Sequence, residues 1–164
     1  MPVLNCGEIK LTTLKNLLDK YSIELHQVED GDKIPGSWFG EPEAGIIENR
    51  LYVRSDTPVH SALHESCHYI CMSPGRRSSL HTNAGGDYDE ENGVCYLSIL
   101  LSDFIDDFGR QRMFSDMDEW GYTFRLGSSQ AWFEEDAEDA CRWLQQYNLI
   151  SNHSQPNWSV RTKK

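Results

Sequence analysis

A chain of 164 residues, 38% hydrophobic and 25% charged, is long enough for one well-buried core, short for two, and too apolar for general disorder. Its formal net charge of -11 argues against a groove that tracks phosphates, which needs clustered Lys and Arg, so nucleic acid is not an expected partner. No apolar run approaches the length needed to cross a bilayer, and the first residues lack a basic segment leading into a long apolar one; no membrane partner and a cytoplasmic location are expected.

Residues 1–150 read as one domain and 151–164, SNHSQPNWSVRTKK, as a polar, flexible tail. The first element, LTTLKNLLDKY, sets Leu11, Leu14, Leu17 and Leu18 at helical spacing and predicts an amphipathic helix. SIELHQVED and IIENRLYVR alternate apolar and polar residues, which predicts two strands, residues 23–28 and 46–54. The Gly- and Pro-rich GDKIPGSWFGEPEAG between them is a loop, in which Trp38 and Phe39 are expected to plug the core rather than rim a cleft.

The next helix announces both ends. Thr57 suits an N-cap, Pro58 the first helical position, and Pro74-Gly75 a stop, giving a helix over residues 58–72. The apolar run after EENG predicts a buried helix, SDMDEWG a short one capped by Ser115 and ended by Gly121, and WFEEDAEDACRWLQQYNLI one long final helix with an acidic, solvated face. Five cysteines, an odd number without the spacing of a disulfide scaffold, read as reduced core thiols.

The predicted helix over residues 58–72 carries HESCH, residues 64–68. His64 and His68, four apart, project from one helical face, close enough for two imidazole nitrogens to share one zinc ion at about 2.0–2.1 Å. Val59, Ala62, Leu63, Ser66 and Ile70 lie toward the opposite side, leaving that face to line a cleft. Glu65 sits beside the ligands and is placed to act as a general base rather than to bind the ion. His60 continues the series, but two helical turns climb about 12 Å, too far for three successive side chains to converge on one ion. Cys67 and Cys71 are also four apart, lie toward the packed side, and are expected as free thiols off the metal.

A catalytic zinc site needs a third protein ligand, and HTNAGGDYDEENGVCYL offers His81, Asp87, Asp89, Glu90 and Glu91. Only Glu90 and Glu91 open a clearly buried helix able to lie against the HESCH helix. The order of helix, SIELHQVED, IIENRLYVR, HESCH helix and acidic residue opening an apolar helix, over residues 14–101, resembles the ImmA/IrrE-like zinc peptidases, minimal zincins of the gluzincin type. The resemblance implies a third ligand followed by a small residue at three, an aromatic at six and a Leu-Leu pair at ten and eleven positions on. Leu100-Leu101 then select Glu90, with Gly93 and Tyr96, while Val94 and Ser102-Asp103 depart from the pattern. Glu91 and His81 remain the alternates.

The implied fold is α+β and zincin-like, a small mixed sheet packed on the active-site helix. The implied activity is peptide-bond hydrolysis by a zinc-activated water, with a peptide or protein as substrate. Tyr122, Arg125 and His81 are candidate donors to the oxyanion. The competing expectation is a zinc-binding regulatory or protein-interaction module with little or no peptidase activity.

Overall fold

The structure, a computed structural model, describes residues 2–164. After a 3-10 turn at Cys6–Glu8 the elements run α1 (Leu11–Asp19), β1 (Glu24–Gln27), β2 (Gly45–Ile47), β3 (Arg50–Val53), α2 (Val59–Cys71), α3 (Pro74–Arg77), α4 (Tyr88–Ser102), α5 (Arg110–Trp120), α6 (Ser129–Glu135) and α7 (Glu138–Gln146). The class is mixed α+β. The sheet has the order β1-β3-β2, with β1 parallel and β2 antiparallel to β3.

The single strand expected over residues 46–54 is a hairpin. Ile47 pairs with Arg50, leaving a two-residue turn in which Glu48 takes a left-handed φ of 52°. The apolar set changes parity across this turn, from Ile46 to Leu51 and Val53, and all three are fully buried. Residues 80–82 extend the sheet beyond β2: Glu48 N donates to Leu80 O at 2.8 Å and Thr82 N to Ile46 O at 2.9 Å.

The α1 stripe buries Leu14, Leu17 and Leu18 as the spacing requires. The HESCH helix, α2, begins one residue later than expected, with Pro58 at the N-cap, because the Thr57 hydroxyl instead accepts from Arg54 N at 2.8 Å. It lies between the sheet on one side and α4 on the other, so every residue but Tyr69 is buried. Ser61 Oγ accepts from Ala44 N at 2.9 Å, tying the start of the hairpin to α2.

The buried helix α4 is capped by Asp87, whose side chain accepts from Glu90 N at 2.9 Å, and it packs against both α2 and α7. A Cβ on Gly93 would approach the Trp143 ring to 2.7 Å, so a glycine is what lets α7 lie this close. That approach fixes the rotation of α4: the Gly93 side faces α7.

Two expectations from the helical pattern, and the one for the C-terminal segment, are corrected. Ser115 caps nothing, because α5 starts five residues earlier, where Asp103 at the end of α4 accepts from Arg110 N at 2.9 Å; Gly121, left-handed at φ 105°, ends it as expected. The long final helix is two helices. Asp136 departs to φ -145°, and its carboxylate pairs with Arg125 at 2.9 Å, breaking the chain between α6 and α7. The segment 151–164, expected to hang free, lies back on the domain: Arg161 N donates to Ile70 O at 2.9 Å, and its guanidinium sits 3.8 Å from the Tyr147 ring centre.

Trp38 and Phe39 do not plug the core; they are 56% and 72% exposed. All five cysteines are free, four of them buried. No helix among the described residues is long and apolar enough to cross a membrane.

Candidate metal centre

Two adjacent helical turns of α2 bring the Nε2 atoms of His64 and His68 to 3.1 Å from each other, with the rings edge to face at 83°. The carboxylate that closes the group belongs to Glu91, in the first turn of α4. Its oxygens lie 3.0 Å from His64 Nε2 and 3.2 Å from His68 Nε2. The two contacts run to different carboxylate oxygens, Oε1 to His64 and Oε2 to His68, and one donor atom from each of the three residues lies within 4.8 Å of the others; a tetrahedral ion at about 2.0–2.1 Å from each sets its donors about 3.3 Å apart. The group therefore fits a metal ion.

The electrostatics favour a cation in the same place. Burial acts to push the His64 imidazole down, but Tyr122, Cys95 and Glu91 together carry it well above its ordinary value. Burial, and then the neighbouring His64 charge, push His68 down to about 3. The opposed directions mean that the site favours one positive charge on these rings over two. Burial acts to raise the Glu91 carboxyl, but its hydrogen bond to His64 and the two neighbouring imidazoles together draw it below its usual range. His64, His68 and Glu91 would hold a divalent ion in place of that charge. Both Nδ1 atoms are buried without a hydrogen-bond partner, so packing rather than a carbonyl or carboxylate orients the rings.

Glu90, the residue selected by the helix pattern, is not in this group. Its carboxylate is 3% exposed, takes two 2.8 Å bonds from Arg76 and lies 3.4 Å from Arg161. Glu90 and Gly93, three positions apart, share the α4 face turned to α7 and the C-terminal segment, whereas Glu91 and Cys95 share the face turned to α2. Arg76 also donates to Ala84 O at 2.6 Å, and Gly86, at φ 103°, passes so close over the Glu90 carboxylate that a Cβ would collide with it. Glu90 therefore anchors the loop over residues 82–86. His81 is also outside the group: it is exposed and bonded to Thr82 Oγ1 at 2.7 Å.

Glu65 is 6% exposed and faces the cleft beside the group. Burial first, then the charges of Glu43 and Glu91, raise its carboxyl to about 7, with His64 opposing. The cleft has two adjoining compartments at the group, sharing Phe39, His64, Glu65 and Glu91. One, of about 350 Å³, is walled by Glu43, Ser61, Trp120 and Tyr122; the other, of about 290 Å³, by Trp38, His68 and residues 82–86. The exposed Trp38 and Phe39 thus rim the cleft.

Of the three candidate oxyanion donors, Tyr122 alone lies at the cleft. Its ring is edge-on to His64 at 5.5 Å, and its hydroxyl is 3.3 Å from His60 Nδ1. Arg125 is turned away to Asp136, and His81 lines neither compartment. His60, set aside as a ligand, is fully buried against Trp120 and Tyr122, and burial pushes its imidazole down to about 3, keeping it neutral. Glu43 and Trp120 carry no signal in their local sequence; a loop glutamate and the last residue of a helix meet only in the fold, where Trp120 Nε1 donates to Glu43 Oε1 at 3.2 Å. Comparison with known protein families, with curated proteins and with solved structures gives no match.

Proposed function

We propose that this protein is a zinc-dependent peptidase of zincin type, with His64, His68 and Glu91 as metal ligands and Glu65 as general base. The observation that carries the reading is the donor group at the junction of two cleft compartments, with a buried, non-ligating carboxylate beside it. Zinc, when bound, supplies a Lewis acid for the scissile carbonyl and lowers the pKa of water toward about 7. An imidazole pair with one carboxylate is a donor set suited to zinc.

The chain's own residues do the rest. Glu65 takes the proton of the attacking water and hands it to the leaving amine; a carboxyl raised to about 7 by burial holds a proton long enough for that second transfer. Tyr122 donates to the developing oxyanion. Burial keeps its phenol protonated, and His60 sets its direction. His60 Nε2 is buried without a partner, so we assign the ring proton to Nδ1, which donates to the Tyr122 oxygen and leaves the hydroxyl hydrogen free for the cleft. Two adjoining compartments at the group accommodate substrate residues on both sides of the scissile bond.

The test pairs metal content with turnover. Purified protein is expected to carry one zinc per chain and to nick an unfolded protein substrate, with loss on chelation and recovery on adding zinc. Glu65→Gln keeps the zinc and loses hydrolysis, and His64→Ala loses both. Full zinc occupancy without cleavage of any of a panel of unfolded proteins and peptides refutes the peptidase reading in favour of a metal-bound regulatory module.

A further inference from the structure

The larger compartment contains a charge that the hydrolytic reading leaves unused. Glu91 belongs to the metal group and Glu65 to proton transfer; Glu43 belongs to neither. Its Oε1 accepts from the Trp120 indole, and among the described residues the carboxylate is in no ion pair and takes no other side-chain hydrogen bond. Phe39, Trp120 and Tyr122 wall the same space. The Glu43 carboxylate is thus framed by three aromatic residues. Glu65, more than nine-tenths buried and without a hydrogen-bond partner in the chain, faces the same cavity.

We propose that this compartment is a specificity pocket for a positively charged ammonium group of the substrate, held between the Glu43 carboxylate and the faces of Trp120, Tyr122 and Phe39. The chemistry follows from the lining. A carboxylate supplies a charge-assisted acceptor, and ring faces attract a cation, Trp most strongly. A cavity of about 350 Å³ admits a lysine-sized side chain. A neutral aliphatic side chain of that length gains the ring contacts but leaves Glu43 desolvated and unpaired, the arrangement that makes a polar site discriminate strongly. The formal net charge of -11 draws cationic substrates toward the molecule as a whole. The proposal deepens the peptidase reading and rests on it for the occupant's being a peptide.

The ammonium can come from a lysine side chain or from a peptide's N-terminus, and the probes separate the two. The Trp120 indole N–H, bonded to Glu43, is a reporter inside the pocket, and its NMR signal is identified among the five tryptophans by its loss in Trp120→Phe. The zinc-loaded full chain is titrated with Nα-acetyl-lysine N-methylamide, with alaninamide, and with the neutral Nα-acetyl-norleucine N-methylamide. At least one cationic probe is expected to shift the signal saturably, and to bind about tenfold more tightly than the norleucine probe.

Glu43→Gln keeps an oxygen to accept from Trp120 and removes only the charge; it is expected to erase the preference. Equal affinity for the neutral probe, no saturable shift from any probe, or a cation preference unchanged in Glu43→Gln overturns the proposal. The readout is binding, so the two readings fail separately. A cation-selective pocket in a protein that cleaves nothing sinks the peptidase reading alone, and cleavage by a protein whose pocket ignores charge sinks this one alone.

Discussion

Glu65 is the residue whose replacement separates stability from activity most sharply. In the metal-free chain its carboxyl is raised from 4.5 to about 7, chiefly because burial penalises the charged form. A raised folded-state value means that the native state prefers the proton. The contribution is fully present below the unfolded value near 4.5 and is lost as pH rises through about 7. A shift of roughly 2.5 units at 1.36 kcal/mol per unit costs the folded chain about 3 kcal/mol once Glu65 is ionised, of which about 1 is already spent at pH 5.5 and about 2 accrues between pH 5.5 and 8.

Glutamine has nearly the same volume and no proton to lose, so Glu65→Gln removes that slope. Urea unfolding of the chelated parent and variant at pH 5.5 and 8 is the assay, and the difference between the two proteins isolates the residue from the other titrating groups. The variant is expected to gain about 2 kcal/mol over the parent between these pH values while losing hydrolysis in its zinc form. A stability difference that stays flat with pH, within a few tenths of a kcal/mol, refutes the claim that Glu65 is held against its own ionisation, and with it the explanation offered for its basicity.

The remaining expectations concern single residues. Glu91→Gln loses zinc by metal analysis, whereas Glu90→Gln keeps the zinc and instead costs about 3 kcal/mol in unfolding free energy, because it leaves the buried Arg161 guanidinium without its carboxylate. The opposite pairing, with zinc lost only in Glu90→Gln, overturns the ligand assignment. Tyr122→Phe is expected to lower kcat by about 10²–10³ with little change in KM, while Arg125→Met leaves both unchanged because Arg125 points away from the cleft. Glu43→Gln removes a charge that raises the Glu65 carboxyl, so the rising limb of the kcat/KM profile moves to lower pH; a shift to higher pH contradicts the assigned direction.

What the sequence made legible follows the range over which the physics acts. The α2 site was readable because a fixed helical period places His64 and His68 together from spacing alone, and the stop at Pro74 and the helix end at Gly121 are equally local. Several misreadings turn on contacts outside the local pattern, although the Thr57 cap and the hairpin at Glu48 were missed within a few residues. Asp103 starts α5 in place of Ser115, Arg125 takes Asp136 out of what reads as one helix, and Trp38 and Phe39 find no core vacancy because α2 is already sandwiched between the sheet and α4.

The choice between Glu90 and Glu91 belongs to the same class. Neighbouring helical positions differ by about 100° in direction, so which one reaches α2 depends on how α4 is rotated about its axis, and a run of apolar residues buried on all sides carries no phase. The phase is set from outside, by Trp143 seated against Gly93 and by Arg161 and Arg76 closing on Glu90. Spacing to Leu100-Leu101 aligns Gly93 with the small position of the resembled pattern, yet here Gly93 makes room for α7 rather than for the metal helix. The C-terminal segment, which reads as a polar tail, therefore helps to decide which glutamate faces the histidines, because Arg161 gives Glu90 a buried partner that competes with any turn toward α2.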